Sequence, residues 1–322
     1  SMKQQIGTIK ELWRYPVKSM VGEQVSHGRV ETFGLLGDRG WAIRDESVGE
    51  LTVVRKMPKL LLCEAHYEEE PVAEPLPQVV IQLPNGTQIN SAAPNVNDKL
   101  SDYLQKNVSL WPLQPKRNWK HYRLAGVSGA EAMKKQFASK ELPDMSSFSW
   151  RILTELSVFA TPLGRYYDCY PLHILTTGAL KKLEKIEPQG DFCVQRFRPN
   201  IVIETESDTA EFEEFGWLGG ELSIGDTVIR CETRTVRCSM PSQPQSNIKK
   251  DGKVMRTVNK HVERHMGINA TVVRVGNINV GDPVIWTPAS HNRLHKIVNP
   301  VVGSIKTKMI HAMLKGVDKL PL

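Results

Sequence analysis

Apolar and polar residues alternate in short runs along most of the chain, the period-2 signature of half-buried strands. Ile6–Trp13 is the first such run, and Pro16 ends it. Val25–Val30, Trp41–Arg44 and Leu51–Val54 follow as short predicted strands. Turns at Gly34, Gly37–Asp38–Arg39–Gly40 and Gly49 separate them. Val79–Leu83 and Thr87–Ile89 flank Pro84–Asn85–Gly86, which predicts a hairpin. The acidic, proline-rich stretch 68–77 reads as a solvated loop. Many short strands with turn chemistry between them predict a small barrel or sandwich.

Helical spacing is rarer. Asp98 is placed to cap a short helix carrying Leu100, Tyr103, Leu104 and Val108 on its inner side. Ser128 and Glu131 form a capping box for a helix to about Ser139, and 142–149 reads as a linker or lid. The second half opens near Trp150. Pro171–Leu175 predicts a buried strand, after which Thr176–Thr177–Gly178 starts a helix with Leu180, Leu183 and Ile186 on one face. Phe197–Arg198–Pro199–Asn200 leads into a strand at Ile201–Glu204. Leu222–Cys231 is strand-like around a Gly225–Asp226 turn, and Gly281–Asp282 repeats that turn. Val254–Met266 predicts a helix closed by Gly267. No βαβ alternation is expected. From 287 onward Val301, Ile305, Met309 and Met313 recur every four residues among Lys306, Lys308 and Lys315, an amphipathic basic helix docked on the protein or on a membrane surface.

Composition narrows the class. The 322 residues fit two domains, and 40% hydrophobic with 24% charged residues is ordinary for a globular protein. A net charge of +7 is too diffuse to indicate nucleic acid, and suits an anionic cofactor, an acidic protein or an anionic membrane equally well. No apolar run is long enough to span a bilayer. Five cysteines, an odd number in a large chain, imply free thiols in a reducing compartment, and a cytoplasmic location is expected. CxxC, GxGxxG and Walker A patterns are all missing, so the chain shows no zinc ribbon, iron–sulfur or nucleotide site of its own.

Candidate chemistry centres on Cys238. It should lie just past a strand end, between Arg234 and Arg237 on one side and Pro241 and Pro244 on the other. Nearby positive charge is expected to lower the thiol pKa. A thiolate there is either a nucleophile or a soft-metal ligand, and local sequence does not choose. Four further clusters stand out: Tyr15–Pro16–Val17–Lys18–Ser19, Gly37–Asp38–Arg39–Gly40–Trp41, His173 to Gly178, and Arg196–Phe197–Arg198–Pro199–Asn200. They offer cations for a phosphate and amide and hydroxyl donors for a heterocycle. His261 and His265 stand at i, i+4, but no Glu follows the first His, so the zincin pattern is broken.

In this order the clusters resemble the MOSC family, proteins homologous to the C-terminal domain of molybdenum cofactor sulfurase, and especially the mitochondrial amidoxime-reducing components and their bacterial counterparts. Tyr-Pro-Val-Lys-Ser at 15–19, Asp-Arg-Gly-Trp at 38–41, Arg-Phe-Arg-Pro-Asn-Ile-Val at 196–202 and Val-Gly-Asp-Pro-Val at 280–284 carry the resemblance. It implies a mainly β protein with some α (α+β): an N-terminal β-barrel domain packed on a β-barrel MOSC domain, plus a C-terminal helical tail. The corresponding divisions are 2–118, a helical linker or lid at 119–149, a MOSC domain at 150–286 and a basic tail at 287–322. It implies a molybdenum cofactor (molybdopterin) in the groove between the barrels. Cys238 would be the catalytic molybdenum ligand, with Lys18, Arg39, Thr176, Thr177, Arg198, Asn200 and Arg237 as cofactor contacts. One departure is the segment Ser239–Met240–Pro241–Ser242–Gln243–Pro244, which replaces the Thr-Thr-Val-Asp-Pro type of sequence usual after the cysteine.

The function so implied is reduction of N-hydroxylated compounds, amidoximes or hydroxylamines. Electrons would come from a separate cytochrome b5-like or ferredoxin-like donor, since no flavin or iron–sulfur motif is present. Two alternatives are a sulfur carrier with a Cys238 persulfide, and a non-enzymatic basic barrel that binds nucleic acid or membrane through its tail.

Overall fold

The computed structural model describes residues 2–126, 147–207, 209–290, 308, 309 and 312. The first half contributes β1 (Gln4–Arg14), β2 (Glu23–Val25), β3 (His27–Glu31), β4 (Gly34–Leu35), β5 (Trp41–Asp45), β6 (Glu50–Leu51), β7 (Glu64–Tyr67), β8 (Val79–Gln82), β9 (Gln88–Asn90) and β10 (Val108–Pro112). The second half contributes β11 (Leu172–Thr176), β12 (Ile201–Thr205), β13 (Glu221–Ile224), β14 (Thr227–Val236), β15 (His265–Arg274), β16 (Gly276–Asn279) and β17 (Pro283–Thr287). Described helices are α1 (Val96–Leu104), α2 (Trp119–Tyr122), α3 (Trp150–Val158), α4 (Thr177–Ile186) and α5 (Gly252–His261). None is long and apolar enough to cross a membrane. The molecule is mainly β with some α.

Seven strands close on themselves in the order β12-β11-β15-β14-β13-β17-β1, because β1 pairs with both β17 and β12. Closure removes the exposed edges that an open sheet would carry. Inward-facing Ile9, Leu12, Ile174, Ile203, Leu222, Ile229, Ile268 and Val284 fill the interior. All neighbours are antiparallel except β11 and β12, which run parallel and are joined through α4. One βαβ unit therefore exists where none was expected. The long irregular stretch between α4 and β12 hides the alternation.

The first strand of the chain thus belongs to the barrel of the second half. Gly7 makes this possible: a Cβ there would stand 2.2 Å from the Glu204 carbonyl oxygen, so only glycine lets β1 lie this close to β12. The rest of the first half surrounds a second core built from Val17, Trp41, Ile43, Leu60, Ile81 and Leu100. Its strands form the three-stranded sheets β10-β5-β6 and β7-β8-β9, while β3 and β4 join β16 from the far end of the chain. The divide at 118 therefore does not follow the hydrogen bonding.

Other local expectations shift. The run Val25–Val30 breaks at Ser26 into β2 and β3, and the strand after Gly49 stops at Leu51. Asn95, not Asp98, is the N-cap of α1, and Gln105 in the left-handed region ends the helix before Val108, which opens β10 instead. The helix expected to reach Met266 ends at His261. Glu263 and Arg264 then take left-handed φ values of 49° and 69°, and Met266–Ala270 enter β15 with every residue buried. Barrel burial there outweighs helical periodicity. The histidine pair is consequently split between α5 and β15. The helix expected at 128–139 falls outside the described residues. So does almost all of the tail, of which Lys308, Met309 and Ala312 are helical and exposed.

Candidate functional site

Turns from both halves converge on one cluster of cations. Lys18 follows the proline break, and its amide donates to the Trp41 carbonyl at 2.8 Å. Its side chain is 5% exposed, and Nζ donates to the Tyr166 carbonyl at 2.9 Å and to Asp168 Oδ1 at 2.5 Å. Arg39 sits at φ 47° in its glycine turn, donating from its amide to the Tyr15 carbonyl at 2.6 Å. Its guanidinium meets Asp38 at 2.8 and 3.0 Å. Arg198, at φ 53°, donates to the Met20 carbonyl at 2.7 Å. Both guanidinium carbons lie 4.3 Å from the centroid of the Tyr15 ring, and the Tyr15 hydroxyl donates to the Pro199 carbonyl at 2.9 Å. Arg237, at the end of β14, donates to the Phe197 carbonyl at 2.6 Å and lies 3.4 Å from His173 Nε2.

The charges do not balance. Lys18 and Arg39 have carboxylate partners in Asp168 and Asp38. Among the described residues Arg198 and Arg237 have none, although both are buried. Burial and the neighbouring Arg39 charge hold the Arg198 guanidinium down to about 10, and burial also lowers Arg237. Asp168 shows the opposite response: burial opposes its ionisation, but Lys18, Arg39 and Arg198 hold its carboxyl at about 2. Its side chain is nevertheless 77% exposed, a carboxylate at the open rim of a cationic wall. Such a surplus of buried positive charge suits an anion.

Cys238 lies two residues past β14, as its sequence context predicts, but its thiol is not activated. Burial pushes its pKa up, outweighing the Met240 amide and the Arg237 charge. Only one of the flanking arginines acts on it: Arg234 points away, its guanidinium carbon 4.3 Å from the Phe215 ring centroid. A half-buried thiol whose pKa is held up is a poor free nucleophile. It remains a competent metal ligand, since a bound cation deprotonates it outright.

Backbone strain concentrates here. Among the described residues, Ser19, Arg39, Arg198, Glu263, Arg264 and Gln105 are the non-glycines in the left-handed region. Ser19, Arg39 and Arg198 belong to the cationic turns, and the carbonyl of Arg264 accepts from the Arg237 amide at 2.7 Å. Only Gln105, the C-cap of α1, lies on an unrelated element. Left-handed non-glycine residues cost free energy and persist where surrounding structure enforces them, commonly at functional sites.

Lys18, Arg39, Arg198, Arg237 and Cys238 are thereby brought together. The other three expected contacts have different surroundings. Asn200 is engaged in the frame, accepting from the His173 amide at 3.1 Å and donating to the Trp13 carbonyl at 3.2 Å. Thr176 caps α4, its hydroxyl accepting from the Ala179 amide at 3.1 Å and donating to buried Glu214 at 2.8 Å. It and Thr177 stand at the far end of β11 from His173, about 10 Å along the strand. Tyr15, Asp38 and His173 were visible only as neighbours of the chosen residues. Asp168 gave no signal at all, lying in an irregular segment that only folding carries to Lys18.

Arg196 organises the departure after the cysteine. It is 1% exposed and donates to the carbonyls of Pro241 at 3.1 Å and Lys249 at 2.7 Å, and to Asp191 at 2.8 Å. Further along the same segment, the Ser246 amide donates to the Leu61 carbonyl at 3.2 Å and its hydroxyl meets Glu64. The segment therefore bridges the second half to the first, on the side of the site next to Cys238.

Among the described residues no three His, Cys, Asp or Glu side chains converge as a metal site. A metal at Cys238 would thus need its other ligands from a cofactor. One thiol beside unpaired buried guanidiniums fits an anionic cofactor that carries its own metal ligands.

Comparison with known proteins places the chain in a family. The family model described as MOSC domain matches residues 164–285, and that described as MOSC N-terminal beta barrel domain matches residues 6–114. Mitochondrial amidoxime reducing component 2 of Rattus norvegicus is 27% identical over 304 residues, covering 87% of this chain and 83% of that protein. Its Homo sapiens counterpart is 27% identical over 303 residues, covering 87% and 84%. Mitochondrial amidoxime-reducing component 1 of Mus musculus is 26% identical over 299 residues, covering 87% and 82%. With its N-terminal and C-terminal parts each matched in order, the chain belongs to the MOSC family.

Proposed function

We propose that this protein is a molybdenum-cofactor-dependent reductase of N-hydroxylated compounds of the amidoxime or hydroxylamine type. The surplus of buried, unpaired guanidinium charge beside Cys238 carries the reading, and the names of the relatives supply the substrate class. Lys18, Arg39, Arg198 and Arg237 would hold the anionic part of the cofactor, and Cys238 would bind its metal. A bound molybdenum cofactor supplies two-electron chemistry coupled to removal of oxygen. Reduction of an amidoxime takes two electrons and two protons, and yields an amidine and water.

The chain's own residues bind and orient. Asp168, held ionised near pH 2, is no proton donor at neutral pH. His173 is kept neutral by burial and the Arg237 charge, its pKa near 3, and its Nε2 lies 3.3 Å from the Met266 carbonyl. Burial raises the Tyr15 phenol well above its usual range. Protons therefore come from solvent, and electrons from a separate redox protein.

The test is molybdenum analysis with pterin fluorescence after denaturation, paired with reduction of an aryl amidoxime by reduced methyl viologen. Cys238→Ala and Cys238→Ser should lose turnover with unchanged circular dichroism, while Cys63→Ala and Cys231→Ala stay active. Full activity in Cys238→Ala removes the metal-ligand assignment, and a protein free of molybdenum and pterin removes the reading.

A further inference from the structure

The basic stretch beginning at Lys116 is not used by the site, and its placement gives it a role. Lys116, Arg117, Trp119, Lys120 and Arg123 are all exposed, on and around α2. Trp119 is 43% exposed, with Lys120 Nζ 5.8 Å and the Arg123 guanidinium carbon 5.9 Å from its rings. None of the four cations has a carboxylate partner among the described residues. The nearby acids are engaged elsewhere: Glu46 pairs with Arg44 at 3.4 Å and Glu74 with Arg165 at 2.6 Å.

The buried side of the same turn leads to the site. His121 Nε2 lies 2.7 Å from the Tyr166 hydroxyl, and the Tyr166 carbonyl accepts from Lys18 Nζ at 2.9 Å. The exposed basic face is therefore joined through His121 and Tyr166 to Lys18 of the site. An exposed tryptophan beside an arginine matches the residue types enriched in protein-binding hot spots, and the lysines add charge around them. A one-turn helix with a single large apolar residue has too little apolar face to seat in a bilayer.

We infer that this face docks the acidic surface of the protein that delivers electrons to the site behind it. The inference rests on the reductase reading above. Like-charged partners would be rejected and acidic ones steered in, so docking should weaken as salt rises.

The experiment compares the molybdenum-loaded wild type with a Lys116→Glu, Arg117→Glu, Lys120→Glu, Arg123→Glu variant. Reduced cytochrome b5, reduced plant-type ferredoxin and reduced methyl viologen are the donors, with an aryl amidoxime as acceptor. The expected result is unchanged turnover with viologen and a KM for the effective protein donor raised about tenfold or more. Carbodiimide cross-linking of wild type to that donor should join Lys116 or Lys120 to a donor carboxylate, and this reads the face even if the variant folds poorly. An unchanged KM with cross-links elsewhere overturns the proposal. So does a wild type that accepts electrons from viologen and from neither protein, or a variant whose only loss is binding to anionic vesicles. No viologen turnover by the loaded wild type sinks the reductase reading itself, and the docking proposal with it.

Discussion

At the scale of single residues, this site is made by cations that the fold buries without matching them. Arg198 and Lys18 should therefore act on occupancy, not on chemistry. Arg198→Ala and Lys18→Ala each remove one charge-assisted contact, worth about 2 kcal/mol, or roughly thirtyfold in cofactor affinity. Molybdenum per protein should fall while turnover per bound molybdenum holds. Normal content with slow turnover would move both residues into the chemistry. Arg196 has a different role, since its partners are the carbonyls of Pro241 and Lys249. Arg196→Leu should strand those carbonyls, costing about 1–3 kcal/mol for each left buried, and loosen the segment after Cys238. Urea midpoints read the first effect, and proteolysis between Ser239 and Lys250 reads the second. A midpoint equal to wild type would show that the segment is held by other contacts.

Among the elements, β1 matters most. It pairs with β12 through Gly7–Leu12 and with β17 through Gln4–Thr8, so it is the strand that closes the barrel. Residues 164–290 expressed alone should leave β12 and β17 as open edges, prone to aggregation. Adding residues 2–14 as a separate peptide should restore solubility and two-state unfolding. A soluble, cooperatively folding 164–290 fragment would contradict this. α4 and α5 pack outside the barrel through Leu180, Leu183, Val254 and Val258. Their periodicity was legible in the sequence because each has a single buried face. The end of α5 was not, because Val262 and Met266 continue its apolar spacing up to Gly267 until the barrel claims Met266.

For the whole molecule, buried titratable groups set the response to pH. His121 and His173 are pushed down to about 4 and about 3, in both cases chiefly by burial and then by a neighbouring arginine. Below pH 6.5 the unfolded chain takes up protons that the folded histidines refuse, so stability falls as pH falls. Glu214 works the other way. Burial raises it to about 7 from 4.5, so its contribution is present below pH 4.5 and is lost as pH rises through 7. Between pH 4.5 and 6.5 one histidine is cancelled, leaving a net slope of about 1.4 kcal/mol per pH unit. Glu214→Gln should steepen that to about 3 kcal/mol per unit, and His121→Gln should flatten it. Urea midpoints at pH 5, 5.5 and 6 measure both, and parallel lines for wild type and Glu214→Gln would refute the assignment.

The sequence by itself determined most strands, the turns that hold Lys18 and Arg39, the position of Cys238 past a strand end, and the family. These are local: they follow from alternation, proline breaks and glycine turns within a few residues. Tertiary structure alone decided which side chains meet. It brought Asp168 to Lys18, turned Arg234 away from Cys238 and put Thr176 and Asn200 into the frame. It raised the thiol pKa that the flanking arginines were expected to lower, because desolvation depends on everything packed around a group and not on its neighbours in the chain. It also carried the first strand into the last barrel, since closing a sheet requires an edge partner that local periodicity does not specify.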